Sequence, residues 1–217
     1  MKVPQRVQRA LQRAEAHLKL GMPAAALPDI EHALQKCPKA SFAWSMLGRA
    51  KSLLGDQPGA EAAYQHALTI EGTDPATWFN LGVTYSARAM YADAIPCYVK
   101  AQARRRTGFD VEAAQNLGSC YLKLDRFDAA RDVYLGLLAL DETANLRSLL
   151  GMAYLGLGDH ANALQAFERS VALGMGPNHT LLASLAACHG ALGDEERAAQ
   201  YRREADALLP AATEDVR

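Results

Sequence analysis

The sequence predicts an all-α chain of six stacked pairs of antiparallel helices, about twelve helices in all. Three observations carry that prediction. A set of apolar residues and a glycine recurs at intervals near 34; an alanine stands twelve residues after that glycine's place in every copy; and glycine, aspartate and proline punctuate the chain where helices would start and stop.

The recurrence is clearest between Trp44, Leu47, Gly48 and Trp78, Leu81, Gly82, which are 34 residues apart and are followed in the second case by Tyr85. It returns as Ala114, Leu117, Gly118, Tyr121, as Arg147, Leu150, Gly151, Tyr154, and as Leu182, Leu185, Ala186, His189, with a first copy at Ala10, Arg13, Ala14, His17. The alanines that follow are Ala26, Ala60, Ala94, Ala130, Ala163 and Ala198. Four and seven residues later come Ile30 and Ala33, Tyr64 and Ala67, Tyr98 and Ala101, Tyr134 and Leu137, Phe167 and Ser170, Arg202 and Ala205. Intervals of three and four place these side chains on one helical stripe, and alternating small with bulky residues lets adjacent helices interlock.

Between the two helices of each pair stand Gly21, Gly55, Ala89, Asp125, Gly158 and Gly193, mostly the residue type that ends a helix in a left-handed conformation. Asp56, Asp159 and Asp194 follow as N-caps of the second helices. Pro38 closes the first pair, Asp74 with Pro75 opens the third, and Asp110 and Thr143 are placed to cap later ones. Pro28 and Pro96 fall within the first turn and a half of second helices, where a lost hydrogen bond is tolerated. The repeats run over about 7–40, 41–74, 75–110, 111–143, 144–178 and 179–212, forming a single array.

This pattern, W-x2-L-G-x2-Y, then A-x3-F/Y-x2-A, then P, resembles the tetratricopeptide repeat family. The departures, Arg13 and Arg202, sit in terminal repeats, where one face meets water. The resemblance implies a right-handed α-solenoid whose first helices line a concave, peptide-binding groove. The groove places then map to Gln8, Leu11 and Glu15; Phe42, Ser45 and Arg49; Phe79, Asn80 and Val83; Glu112, Gln115, Asn116 and Ser119; Asn145, Ser148 and Met152. Asn80 and Asn116 present a donor and an acceptor to a peptide backbone, or else bond within their repeat. Phe42, Phe79 and Met152 offer apolar pockets or serve as ordinary helix packing. Leu11 and Glu15 stand where relatives that hold chaperone tails carry a basic and amide clamp, so that mode is not expected. Lys100, Arg104, Arg105 and Arg106 form a candidate patch for an acidic or phosphorylated partner, or simply satisfy a helix carbonyl end.

Composition narrows the function classes. Half of the 217 residues are apolar and the formal charge is -1, which argues against neutralising a nucleic-acid backbone. The most apolar window, Leu149–Gly158, is far shorter than the roughly 20 residues that span a bilayer, and the N-terminus carries no signal-like apolar run, so a cytoplasmic protein is expected. Cys37, Cys97, Cys120 and Cys188 and the six histidines show no metal-ligand spacing. No phosphate loop is present, and the repeats occupy nearly the whole chain, so neither catalysis, a metal nor a cofactor is expected. The reading is a non-catalytic scaffold or adaptor that binds a peptide segment of a partner protein. The alternative is a self-assembling homo-oligomer: residues 1–110 hold 14 basic and 9 acidic side chains, whereas 111–217 hold 9 and 15, a division that permits head-to-tail pairing.

Overall fold

A computed structural model describes residues 4–102 and 109–209. Those residues form α1 (Gln5–Lys19), α2 (Pro23–Lys36), α3 (Ser41–Leu53), α4 (Gln57–Ile70), α5 (Pro75–Ala87) and α6 (Tyr91–Gln102). They continue as α7 (Phe109–Lys123), α8 (Phe127–Leu138), α9 (Ala144–Gly156), α10 (His160–Ala172), α11 (His179–Ala191) and α12 (Glu195–Ala207), with no strand among the described residues. The twelve helices expected from the repeat are thus all present. The chain divides into two compact units, Met1–Cys120 and Tyr121–Arg217, with the division inside α7.

The first helix of every pair stops, and several helices start, for local reasons the sequence announces. Asp56, Asp74, Asp159 and Asp194 accept from the backbone N–H three residues on, at 2.9, 3.0, 3.2 and 3.1 Å, and Thr143 does the same for Leu146 at 3.3 Å. Asn178, which the repeat pattern did not single out, caps α11 through Leu181 N–H at 3.0 Å. Asp110 departs from expectation: it lies inside α7, which already includes Phe109, and therefore is not that helix's N-cap. At all six turns within pairs, the residue named from sequence has positive φ, including the non-glycines Ala89 (56°) and Asp125 (55°). Pro28 and Pro96 stand within α2 and α6 with exposed rings, where the carbonyl each deprives of a bond lies in the first turn.

The core is the predicted stripe. The six marker alanines are fully buried, as are Ile30, Tyr64, Tyr98, Tyr134 and Phe167 four residues after five of them. Close approach of the two helices in a pair explains the repeating glycine. A methyl group on Gly48 would stand 2.6 Å from the Tyr64 ring, one on Gly82 2.8 Å from Tyr98, and one on Gly151 2.7 Å from Phe167. Where alanine replaces that glycine, at Ala14 and Ala186, the residue sixteen positions later is Ile30 or Arg202, neither of them a ring. His189 replaces the tyrosine of sibling repeats as a buried packing residue, stacked on Tyr201 with ring centres 5.5 Å apart.

Candidate peptide-binding groove

In the first unit, the first helices of three successive repeats bring part of the predicted groove together. A cavity of about 580 Å³ is lined by Glu15 and Leu18 of α1, by Ser41, Phe42, Ser45, Met46 and Arg49 of α3, and by Pro75–Thr77 and Asn80 of α5. Ala67 of α4, with Glu71, Thr73 and Asp74 from the connection between α4 and α5, completes it. That volume falls within the range of ordinary ligand sites. Phe42 is 55% exposed in the first turn of α3, because the helix turns Ala43 and Met46 to the core and leaves the position just before Ala43 outside. Ser45 sits deeper, with Thr77 Oγ1 at 2.8 Å and that hydroxyl also meeting the Asp74 carboxylate. The Asn80 amide makes no hydrogen bond among the described residues, and the exposed Arg49 has no ion-pair partner there.

Other members of the predicted set turn out to be committed to the fold. Leu11 is buried in the core with Val7, Ala14 and Ile30, a correction to its groove placement: on α1 the stripe of Val7, Leu11, Ala14 and Leu18 is the buried one. Phe79 is half-buried and tilts against Tyr98 at 6.0 Å between ring centres. Asn116 bonds the Tyr98 hydroxyl, which also lies 3.0 Å from Ser86 Oγ. Burial nonetheless pushes the Tyr98 phenol up to about 12. Ser119 donates to the Gln115 carbonyl one turn back at 3.0 Å. In the second unit Asn145 and Met152 are exposed on α9 and Ser148 is half-buried.

Lys100 holds its ammonium 3.9 Å from the centre of the Trp78 ring, an attraction that already occupies it. Its suggested companions Arg104, Arg105 and Arg106 lie outside the described residues. Sequence reasoning missed Glu71 and Thr73 as groove residues because it considered only first-helix places; they stand at the junction between repeats, where the period gives no face. It also missed a second cavity of about 410 Å³ lined by Trp78, Tyr85, Leu68, Pro96, Cys97 and Lys100, among others. The buried thiols of Cys97, Cys120 and Cys188 offer little nucleophilic chemistry, since burial pushes Cys97 up to about 11 and raises Cys120 and Cys188 as well. Among the described residues there is no cluster of three metal-ligating side chains, and no helix is long and apolar enough to cross a membrane.

Models of the tetratricopeptide repeat match residues 7–50, 79–145 and 144–173. The chain belongs to the tetratricopeptide repeat family. Solved structures with the same fold include PilF of Pseudomonas aeruginosa, 18% identical with a TM-score of 0.75 over 96% of this chain and 94% of that one. A MamA structure is 27% identical with a TM-score of 0.66 over 74% of this chain and 93% of that one. In sequence, the human intraflagellar transport protein 88 homolog is 28% identical over 130 residues, 55% of this tetratricopeptide chain and 15% of that protein. The match therefore spans about one seventh of that relative's length.

Proposed function

We propose that this tetratricopeptide chain is a protein-binding scaffold that holds an extended segment of a partner protein against α1, α3 and α5. The observation that carries the reading is the convergence of Phe42, Ser45, Arg49 and Asn80 on one cavity. It is lined by an apolar shelf, a hydroxyl, an uncommitted guanidinium and an uncommitted amide. An amide can pair with the donor and acceptor of an extended backbone whatever its sequence, and an exposed ring seats a side chain projecting from it. The test is affinity capture from host extract with the native chain and with a Phe42→Ala, Arg49→Ala, Asn80→Ala variant whose helical circular dichroism is unchanged. Loss of specific proteins from the variant's capture is the expected result. Matching captures would remove the groove from consideration.

The uneven charge of residues 1–110 and 111–217 supports a second reading, head-to-tail association of copies of this chain. Sedimentation at low and high salt checks it. A species larger than a monomer that dissociates as salt rises is its expected signature, and a monomer at low salt and high protein concentration removes it.

A further inference from the structure

The groove cavity is not electrically uniform along its length. At one end, Glu71 is the C-cap of α4, whose last turn carries no basic residue, although a helix carbonyl end favours a cation. The ends of α2 and α3 meet that preference with Lys36 and Lys51. One Glu71 oxygen accepts from the Ser41 hydroxyl at 2.8 Å, and the other has no partner among the described residues. Asp74 adds a second carboxylate at the same end, offset only by the backbone N–H and hydroxyl of Thr77. At the other end Glu15 and Arg49 share one repeat place on α1 and α3. There Glu15 is already paired with Lys19 at 2.7 Å, so the exposed guanidinium of Arg49 leaves a local positive surplus. Phe42 lies in the first turn of α3, one residue from Ser41, and so places its exposed ring at the acidic end.

We infer that the groove selects a partner segment carrying a lysine or arginine beside an aliphatic or aromatic residue, the cation seated at Glu71 and Asp74 and its apolar neighbour on Phe42. The inference rests on the groove reading above and adds to it the chemistry of the occupant. A bound cation supplies what the end of α4 lacks and meets the open oxygen of the exposed Glu71 carboxylate through a charge-assisted hydrogen bond. An acidic side chain at the same place would meet two carboxylates and a helix carbonyl end. Arg49, at the far end, is free to donate to backbone carbonyls of the segment.

The experiment is a selection of random decapeptides displayed on phage, carried out on the native chain and on the Phe42→Ala, Asn80→Ala variant. Peptides that need the intact groove are expected to carry Lys or Arg next to an apolar residue. Synthesised individually, they should bind Glu71→Lys about tenfold more weakly than the native chain, with Glu71→Gln intermediate. The native chain's preference should also weaken with added salt. Groove-dependent peptides that are acidic or uncharged, or that ignore the Glu71 substitutions, would overturn the inference while leaving the groove reading intact. Peptides bound equally by the groove variant, or no enrichment at all, would overturn both.

Discussion

Gly48, Gly82 and Gly151 each leave room for a ring that would lie within 2.8 Å of a methyl group at the same position. At the equivalent place in the two terminal repeats stand Ala14 and Ala186, and the residues sixteen further on are Ile30 and Arg202. Glycine here is not a concession to flexibility, since all three lie within helices, where glycine costs about 1 kcal/mol relative to alanine. What that cost makes possible is burial of an entire aromatic ring between two helices, worth several times as much. The terminal repeats bury less and can use the better helix former. The comparison also explains why the family pattern weakens at both ends: Arg202 is exposed, so no ring has to be accommodated there.

The largest expected effect follows directly. Phe167→Ala or Tyr64→Ala should destabilise the chain by about 3–5 kcal/mol, because each empties a site that is essentially closed to solvent. Arg202→Ala should change stability by less than about 0.5 kcal/mol. Urea denaturation followed by circular dichroism separates the two, and equal losses would break the comparison between inner and terminal repeats. Next in size, Gly48→Ala should cost about 1–3 kcal/mol by forcing the Tyr64 ring to shift. In a Tyr64→Ile background, which copies the terminal pairing, the same substitution should cost much less, a coupling that a double-mutant cycle measures.

A smaller effect, opposite in sign, is expected at the turns. Ala89 and Asp125 occupy a left-handed conformation at the place where four siblings have glycine. Ala89→Gly should therefore stabilise by up to about 1 kcal/mol, and Asp125→Gly by less, since aspartate tolerates that region better. A lower melting temperature for Ala89→Gly would mean that strain at this turn is relieved elsewhere.

Most of the fold was legible in the sequence because its determinants are local and repeated. A capping aspartate acts on an N–H three residues away, a positive-φ glycine acts on its own backbone, and a marker alanine is recognisable in six copies. The groove was legible only in part. Phe42 and Arg49 follow from the repeat, but the same reasoning named Phe79 and Asn116, whose side chains pack against or bond to Tyr98. Which of two neighbouring helical positions faces inward depends on the rotation of one repeat against the next, and that is set by packing rather than by period. Glu71 escaped for a related reason: its role at the cavity arises from the place where a connection passes, which a periodic pattern does not describe.

The smallest expected effect concerns one repeat place that the two units fill with different chemistry. In the first unit Trp44 and Trp78 donate through Nε1 to the carbonyls of Pro38 and Gly72, at 2.8 and 2.9 Å, bonds that do not titrate. In the second unit's first full repeat the place is taken by Arg147, which joins Arg169 in gripping Glu142, with nitrogen–oxygen distances of 2.6 Å from each. The hydrogen bonds from Arg169 and then Arg147 hold the Glu142 carboxyl down to about 2 from an ordinary 4.5. A carboxylate whose pKa is lowered in the folded state stabilises fully above its unfolded value, and that contribution fades as the pH falls toward the folded one. The melting-temperature gap between the native chain and Glu142→Gln should accordingly be constant above about pH 5 and close between about pH 4.5 and 2. Because all three side chains are partly open to water, the gap should also shrink with salt. The corresponding Trp44→Phe gap should respond to neither variable. A Glu142→Gln gap that is flat through that pH range would show that the two arginines grip a carboxyl whose charge does not matter, leaving shape alone to distinguish this repeat from its tryptophan siblings.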